Sequence, residues 1–392
     1  MPLQQGNKVF YQNSIDLFQN LWYNICSHDV PCFRMNMQNQ SQVMYPVLDE
    51  AEIEELLDQS NPKCPFHTYI GNGAAVEEVM DLAYAAFSEI ETDLESGEDF
   101  CTRKCAKRIA LLGRPSVGKT SFARLFVKEL LDLPFCEVVP EMVTNTETLF
   151  ALLVAAYKQE DIEIVVEETR GDIEYYQLPP GALFIDEVHL VAKSVQDSLL
   201  KVTESADGLL LLEGKVVDCR QLCIIIATTD TGKLRNAFKT RFRQIKLKPH
   251  NVKEVAKIIK INYPSWTDKQ CMMVACLKPI PREAKDFADS VIKNMRGKKR
   301  KIEESIQLVA DREGIKEGGV NATAIETLKF LSTSPDGLSK ATICAALRIE
   351  IDEFENDVLP CLVINEFHPA YVEISNRHYI TKEGKKYLQM VV

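Results

Sequence analysis

Gly113-Arg-Pro-Ser-Val-Gly-Lys119-Thr120 reads G-x-x-x-x-G-K-[ST], a phosphate-binding loop, and it stands in the context such a loop requires. The apolar run Arg108-Ile-Ala-Leu-Leu112 before it suits a buried strand. Phe122, Leu125, Phe126 and Leu130 after it repeat at helical spacing. The chemistry accounts for the residue types. Backbone N–H groups of the loop surround a phosphate, and the positive end of the following helix adds to their pull. Gly113 and Gly118 permit close backbone approach, Lys119 reaches the β- and γ-phosphates, and Thr120 offers a hydroxyl to Mg2+. The first expectation is a nucleotide site in an α/β fold.

Downstream, Gly181-Ala-Leu-Phe-Ile-Asp186-Glu187-Val-His189-Leu190 is an apolar strand pattern ending in two carboxylates, sixty-seven residues after Lys119. Strands often end in acidic turns, so the pair gains its meaning from that spacing. Asp186 is placed to hold Mg2+ through water and Glu187 to polarise an attacking water. Leu222-Cys-Ile-Ile-Ile-Ala-Thr-Thr229 repeats the logic with hydroxyls at the strand end. Asn236-Ala-Phe-Lys-Thr-Arg241-Phe242 sets a cation after a short helix, and Pro279-Ile-Pro-Arg282-Glu-Ala284 sets one at the start of another. Either arginine alone reads first as an ordinary surface residue.

The 392 residues, 46% hydrophobic, suffice for two or three domains with real cores. No apolar run is long enough to span a membrane, and Met1-Pro-Leu-Gln-Gln5 lacks a charged-then-apolar leader, so a cytoplasmic protein away from membranes is expected. The twelve cysteines, Cys223, Cys276, Cys344 and Cys361 among them, lie in apolar segments and are expected to be reduced. Cys101 and Cys105 lack a second pair at zinc spacing, so no such metal site is expected. A net charge of −11 excludes a chain that coats nucleic acid over its whole surface, though not a local basic face. The dense basic run Lys293–Lys301 reads equally as a solvated helix end or a phosphate contact.

In chain order, residues 1–60 form an extension in which Ile15, Phe18 and Trp22 suit one helix face and Asp49–Asp58 is helical. A helix from Val76 to Phe87 precedes Glu89–Asp99, read as an acidic surface loop. After the phosphate loop come a strand at Cys136–Val139 and a helix capped near Thr144-Asn-Thr-Glu-Thr148. A hairpin follows, with strands at Ile162–Val166 and Ile173–Tyr176, and then a second hairpin within Asp207–Val217. The C-terminal pattern predicts helices at Thr327–Leu331, Leu338–Leu347 and Asp352–Leu362, with wing strands at Phe367–Ile374 and Arg377–Thr381. That is a winged helix whose wing offers Arg377, His378 and Lys382 to phosphates, or which serves protein contacts instead.

The order of these motifs resembles that of an AAA+ ATPase, and within that group the RuvB family of ring motors that drive Holliday-junction branch migration. Four stretches carry the resemblance: Asn61-Pro-Lys-Cys-Pro-Phe-His-Thr-Tyr-Ile-Gly71, Leu183–His189, Ala227–Thr229, and Gly337-Leu-Ser through Leu362. It covers about residues 61–390. It implies an AAA+ nucleotide-binding domain over 61–245, a helical lid over 246–320 and a winged-helix domain over 321–392, with ATP and Mg2+ as ligands. Ile70 would line the adenine pocket, and Gly118, Lys119, Thr120 and Ser121 would hold phosphates and the ion. Asp186 would anchor the metal, Glu187 act as catalytic base, Thr229 as sensor 1 and Arg282 as sensor 2. Arg241 would be a finger reaching the neighbouring subunit's nucleotide. A homo-oligomeric ring, a hexamer, acting on branched or double-stranded DNA is thereby implied, with room for a junction-recognition partner protein. Asn61 departs from the family's opening arginine, Ser116 from a loop glycine and Lys239 from a second arginine. The hairpin within 207–217 looks shorter than the family's, and the one at 160–178 has no counterpart.

The leading reading is an ATP-driven ring motor on DNA. The alternative is an AAA+ switch or loader that assembles on a protein partner without translocating, favoured by the short hairpin, the acidic charge and the extension. A P-loop kinase or GTPase fits poorly, since no Asn-Lys-x-Asp guanine-reading motif occurs.

Overall fold

The computed structural model describes residues 50–96, 108–162, 164, 166–204, 208–296, 300–316, 319–363 and 370–391. They divide into two compact units. The first holds the described residues up to His67, Gly73–Arg114 and Gly118–Leu247; the second holds Thr68–Asn72, Pro115–Val117 and the described residues from Lys248 on.

In the first unit, helices α1 (Glu50–Leu57) and α2 (Gly73–Ser96) precede strand β1 (Arg108–Leu112). Next come α3 (Lys119–Arg124), continued by a π-helical Leu125–Leu130, β2 (Phe135–Val138) and α4 (Thr146–Gln159). A hairpin of β3 (Val166–Arg170) and β4 (Ile173–Gln177) leads to β5 (Gly181–Ile185) and α5 (Lys193–Glu204). A second hairpin, β6 (Leu209–Leu212) and β7 (Lys215–Asp218), leads to β8 (Leu222–Thr228), α6 (Asn236–Arg241) and β9 (Arg243–Lys246).

The main sheet has the order β2-β5-β8-β1-β9 with every pairing parallel. All residues of β5 and β8 are buried, which explains why both read as unbroken apolar runs without alternation. Asn145 caps α4, its side-chain oxygen accepting from the Thr148 N–H at 2.8 Å. Tyr157 on α4 lies over the start of β5, and its hydroxyl donates to the Pro179 carbonyl at 2.7 Å. That is why position 181 is glycine: a Cβ there would overlap the phenol, with Cζ only 2.7 Å away.

Three expectations need correction. Glu89 to Ser96 is helical, the final part of α2, because glutamates sustain a helix and no glycine or proline intervenes before Gly97. The first hairpin starts at Val166, not Ile162, and turns at Gly171-Asp172, Gly171 having φ +62°. The two hairpins are not separate: β4 and β7 pair in parallel, making one four-stranded sheet of order β3-β4-β7-β6.

The second unit opens with the helices α7 (Val252–Asn262), α8 (Asp268–Leu277), α9 (Pro281–Met295) and α10 (Ile302–Glu313). They share a core that includes Val255, Ile259, Val274, Phe287, Val291 and Val309. Capping boxes start α7 (Asn251 with Glu254) and α8 (Thr267 with Gln270). Helices α11 (Ala322–Ser332) and α12 (Lys340–Leu347) follow. Then comes α13, which runs from Ile351–Glu353 through a π-helical Phe354–Val358 to Leu359–Leu362. Strands β10 (Val372–Ile374) and β11 (His378–Ile380) form a short antiparallel pair, and α14 (Lys382–Val391) ends the description. Leu338, expected at the start of a helix, instead bridges to β11, and Ser339 caps α12. Lys382 is not a wing residue: it begins α14, a helix the sequence pattern did not predict. His378 is also unavailable to a ligand, being buried edge-on against Phe354 at 5.6 Å between ring centroids. The basic run at 293–301 and the proposed strand from Phe367 fall partly outside the described residues, as does most of the N-terminal extension.

Two outcomes follow. Gly181→Ala is expected to cost about 1–3 kcal/mol in denaturant unfolding, the usual range for overpacking. Burial holds the His378 imidazole below its ordinary value of 6.5. The unfolded chain therefore binds a proton that the folded one refuses, and stability present above pH 6.5 is lost as pH falls below it. His378→Phe, which keeps the ring packing, should reduce the loss of Tm between pH 7 and pH 5 relative to wild type.

Candidate nucleotide site

Strand β1 delivers the phosphate loop. Gly118, immediately before α3, has φ +87°, and Ser116 has φ +62°, a left-handed conformation that favours glycine. Ser116 thus occupies a glycine's place at the cost of backbone strain. Lys119 is 6% exposed, and its ammonium donates to the carbonyls of Gly113 at 3.0 Å and Arg114 at 3.2 Å. Its third neighbour is Glu187 Oε1, at 3.8 Å. A buried ammonium requires such partners, and here they hold its Nζ at the mouth of the loop.

Strand β5 delivers the carboxylates. The Asp186 N–H reaches the Val138 carbonyl at 3.4 Å, continuing the β2–β5 pairing, while Asp186 Oδ1 accepts from the Glu187 N–H at 3.0 Å. Burial pushes the Asp186 carboxyl above its ordinary value, opposed by the positive charge of Lys119 and reinforced by Glu187. Glu187 has φ +45° and ψ +50°, left-handed and strained for a residue with a side chain. That turn swings its carboxylate across to β8, where Oε2 accepts from the Thr229 N–H at 2.9 Å and the Thr229 hydroxyl at 3.0 Å. His189 Nδ1 stands 3.3 Å from the same oxygen and 2.9 Å from Thr228 Oγ1. Sequence reading assigned no role to His189 or Thr228. The available signal was an imidazole two positions after an acidic strand end, and a hydroxyl beside Thr229.

In its donor set the site suits Mg2+: the Asp186 carboxylate and the Thr120 hydroxyl are hard oxygens at neighbouring strand and helix ends. Ser121 is exposed and lines, with Thr120, Arg124, Leu125 and Glu129, a shallow cleft on α3.

The structure thus gathers Lys119, Asp186, Glu187 and Thr229 beside the phosphate loop, and the remaining expected residues stand on other elements. Arg241 closes α6, whose end is fixed by the edge-on Phe238–Phe242 pair at 5.5 Å. In the second unit, Arg282 is exposed in the first turn of α9, where a cation opposes the helix dipole and so serves no local stability. Ile70 is half-buried beside Gly71, which has φ +81° and sits so close to His250 and Glu254 that a Cβ would lie 2.9 Å from His250 Nδ1. Asn72 clamps this segment to Lys248, accepting from its N–H at 2.6 Å and donating to its carbonyl at 3.3 Å. Arg377 is exposed, its guanidinium 3.4 Å from the Asp336 and Gly337 carbonyls.

Residues 109–249 match the ATPase family associated with various cellular activities, AAA. This is an AAA ATPase domain. Over a longer span the chain is similar to RuvB proteins. It is 25% identical over 302 residues to the Holliday junction branch migration complex subunit RuvB of Wolbachia sp. subsp. Brugia malayi (strain TRS), covering 72% of this chain and 83% of that protein. It is 22% identical over 355 residues to the subunit of the same name from Mycoplasma genitalium, covering 84% and 98%. Among solved structures, the Thermotoga maritima RuvB Holliday junction branch migration motor aligns over 82% of this chain and 95% of its own, with a TM-score of 0.57 at 19% identity. A variant of the same protein reaches a TM-score of 0.58 over 83% and 97%. The fold shared with those structures extends well beyond residues 109–249.

Because Ser116 carries left-handed strain, Ser116→Gly is expected to raise unfolding free energy by up to about 1 kcal/mol in urea titration.

Proposed function

We propose that this AAA ATPase is a ring motor acting on DNA, RuvB-like in branch migration or a related step of recombination or repair, and working in the cytoplasm. The supporting observation is the meeting of Lys119, Asp186, Glu187 and Thr229 at adjacent strand ends, in a chain whose relatives carry the RuvB name. In this reading residues 61–245 bind nucleotide, 246–320 form a lid and 321–392 a winged helix. Lys119 and the loop N–H groups bind the phosphates with Gly113, Gly118 and Ser121, while Ile70 lies against adenine. Thr120 and Asp186 would hold Mg2+, which when bound neutralises charge on the transferring phosphoryl group. Glu187 takes the proton of the attacking water, and Thr229 aligns it. Arg282 follows the γ-phosphate from the lid side. Arg241 acts on a neighbouring copy's nucleotide, so hydrolysis depends on ring assembly, as a hexamer. Arg377 and Lys382 would meet DNA phosphates from separate elements, the one before β11 and the other at the head of α14.

One observation favours the switch or loader reading: the four-stranded sheet leaves Ile173 41% and Leu211 64% exposed, a surface suited to a protein partner. The two readings separate in one assay, ATP hydrolysis with and without branched DNA. A DNA motor is stimulated by DNA, and Arg241→Ala should remove both the stimulation and about three orders of magnitude of rate. Glu187→Gln should keep nucleotide binding and lose at least about 100-fold in kcat. Hydrolysis indifferent to DNA and to Arg241 would sink the motor reading in favour of the switch.

A further inference from the structure

We propose that His189 is a positioning residue for Glu187: its Nδ1–H, anchored on Thr228, fixes which oxygen of the carboxylate is free to act as base. The inference rests on the hydrolytic reading above. Thr228 is 1% exposed, and its hydroxyl donates to the Asp230 carbonyl at 3.2 Å while accepting from the Asp230 N–H at 3.1 Å. While that proton stays on the Asp230 carbonyl, Thr228 Oγ1 meets His189 Nδ1 at 2.9 Å as an acceptor. The geometry therefore points to the tautomer with a proton on Nδ1. The second contact agrees, because Glu187 Oε2, 3.3 Å from the same nitrogen, also only accepts.

Nδ1–H thus points to the hydroxyl with the carboxylate oxygen 3.3 Å from the same nitrogen, and the imidazole is held by burial, its side chain being 8% exposed. Oε2 of Glu187 now faces three donors, the Thr229 N–H, the Thr229 hydroxyl and His189 Nδ1–H. An oxygen so engaged is a poor proton acceptor. Among the described residues Oε1 meets Lys119 Nζ alone, at 3.8 Å, and keeps lone pairs for a water. In the step this serves, the water oxygen bonds to the γ-phosphorus, the bond to the β–γ bridging oxygen breaks, ADP departs with that electron pair, and the water's proton passes to Oε1. His189 touches none of these atoms. It acts by adding a third hold, beside the two from Thr229, on a side chain that stands on a strained, left-handed backbone.

The test compares His189→Ala, His189→Asn and His189→Gln in steady-state ATP hydrolysis by the full chain, with affinity for a fluorescent ATP analogue and Tm measured alongside. The amide nitrogen of Asn takes the place of Nδ1, whereas that of Gln falls nearer Nε2. His189→Ala and His189→Gln should lower kcat at least about tenfold while KM and analogue affinity stay within about twofold, and His189→Asn should restore most of the rate. Wild-type kcat in His189→Ala, equal losses in Asn and Gln, or a loss confined to KM would overturn the proposal. A readout independent of turnover is the ¹⁵N spectrum of imidazole-labelled protein, in which subtracting the His189→Asn spectrum picks one of six histidines. A protonated Nδ1 is expected, and a bare Nδ1 overturns the proposal. Wild-type protein that binds ATP without turning it over instead removes the hydrolytic reading, and the imidazole spectrum still decides the hydrogen bond.

Discussion

Three strands buried in parallel register govern where every charged group of this site can stand. Leu112 of β1 lies opposite Thr228 of β8, and Ile185 of β5 lies opposite Ile226. The phosphate loop, the Asp-Glu pair and the threonine pair therefore leave the sheet side by side. Shifting any strand by one residue would exchange its apolar and polar ends and expose part of an otherwise fully buried run. Lys119 and Glu187 then need only short excursions to meet: one by the first turn of α3, the other by a single left-handed residue. Hydrophobic burial supplies the register, and the register supplies the electrostatics.

The parallel sheet and its motif ends were legible in the sequence because the causes are local. An apolar run without alternation means a strand covered on both faces, and glycine, lysine and threonine at fixed spacing mean a loop that wraps phosphate. What escaped was set by partners distant in the chain. Nothing near Ile173 or Val216 announces that β4 and β7 lie together, since parallel pairing is made by strands whose connection runs through the main sheet. The role of His189 depends on Thr228, thirty-nine residues away, whose hydroxyl donates to the Asp230 carbonyl. Lys382 was misplaced because it directly follows the strand pattern that ends at Thr381. In the structure Thr381 Oγ1 instead accepts from the Gly384 N–H at 3.0 Å and starts a helix.

Departures from the RuvB pattern mark where this chain differs from its relatives. Ser116 keeps the left-handed backbone that a glycine would adopt freely, so the loop's shape is retained while its conformational cost rises. The Asn72 side chain, clamped on the Lys248 backbone, and the close approach of Gly71 to the His250 and Glu254 side chains tie the segment around Ile70 to the start of α7. The contact geometry there depends on Asn72, His250 and Glu254 themselves.

The four-stranded sheet has a mechanical character. Its two middle strands, β4 and β7, run on into β5 and β8, and their pairing continues past the strand ends, with the Leu178 N–H on the Asp218 carbonyl at 3.0 Å. Gly181 and Leu222 then take up the same partnership in the main sheet. The molecule therefore holds two parallel cords knotted together along most of their length, one ending in Glu187 and the other in Thr229. A load on the outer turns reaches both cords equally, so it can shift the pair as one body without pulling the carboxylate off its threonine.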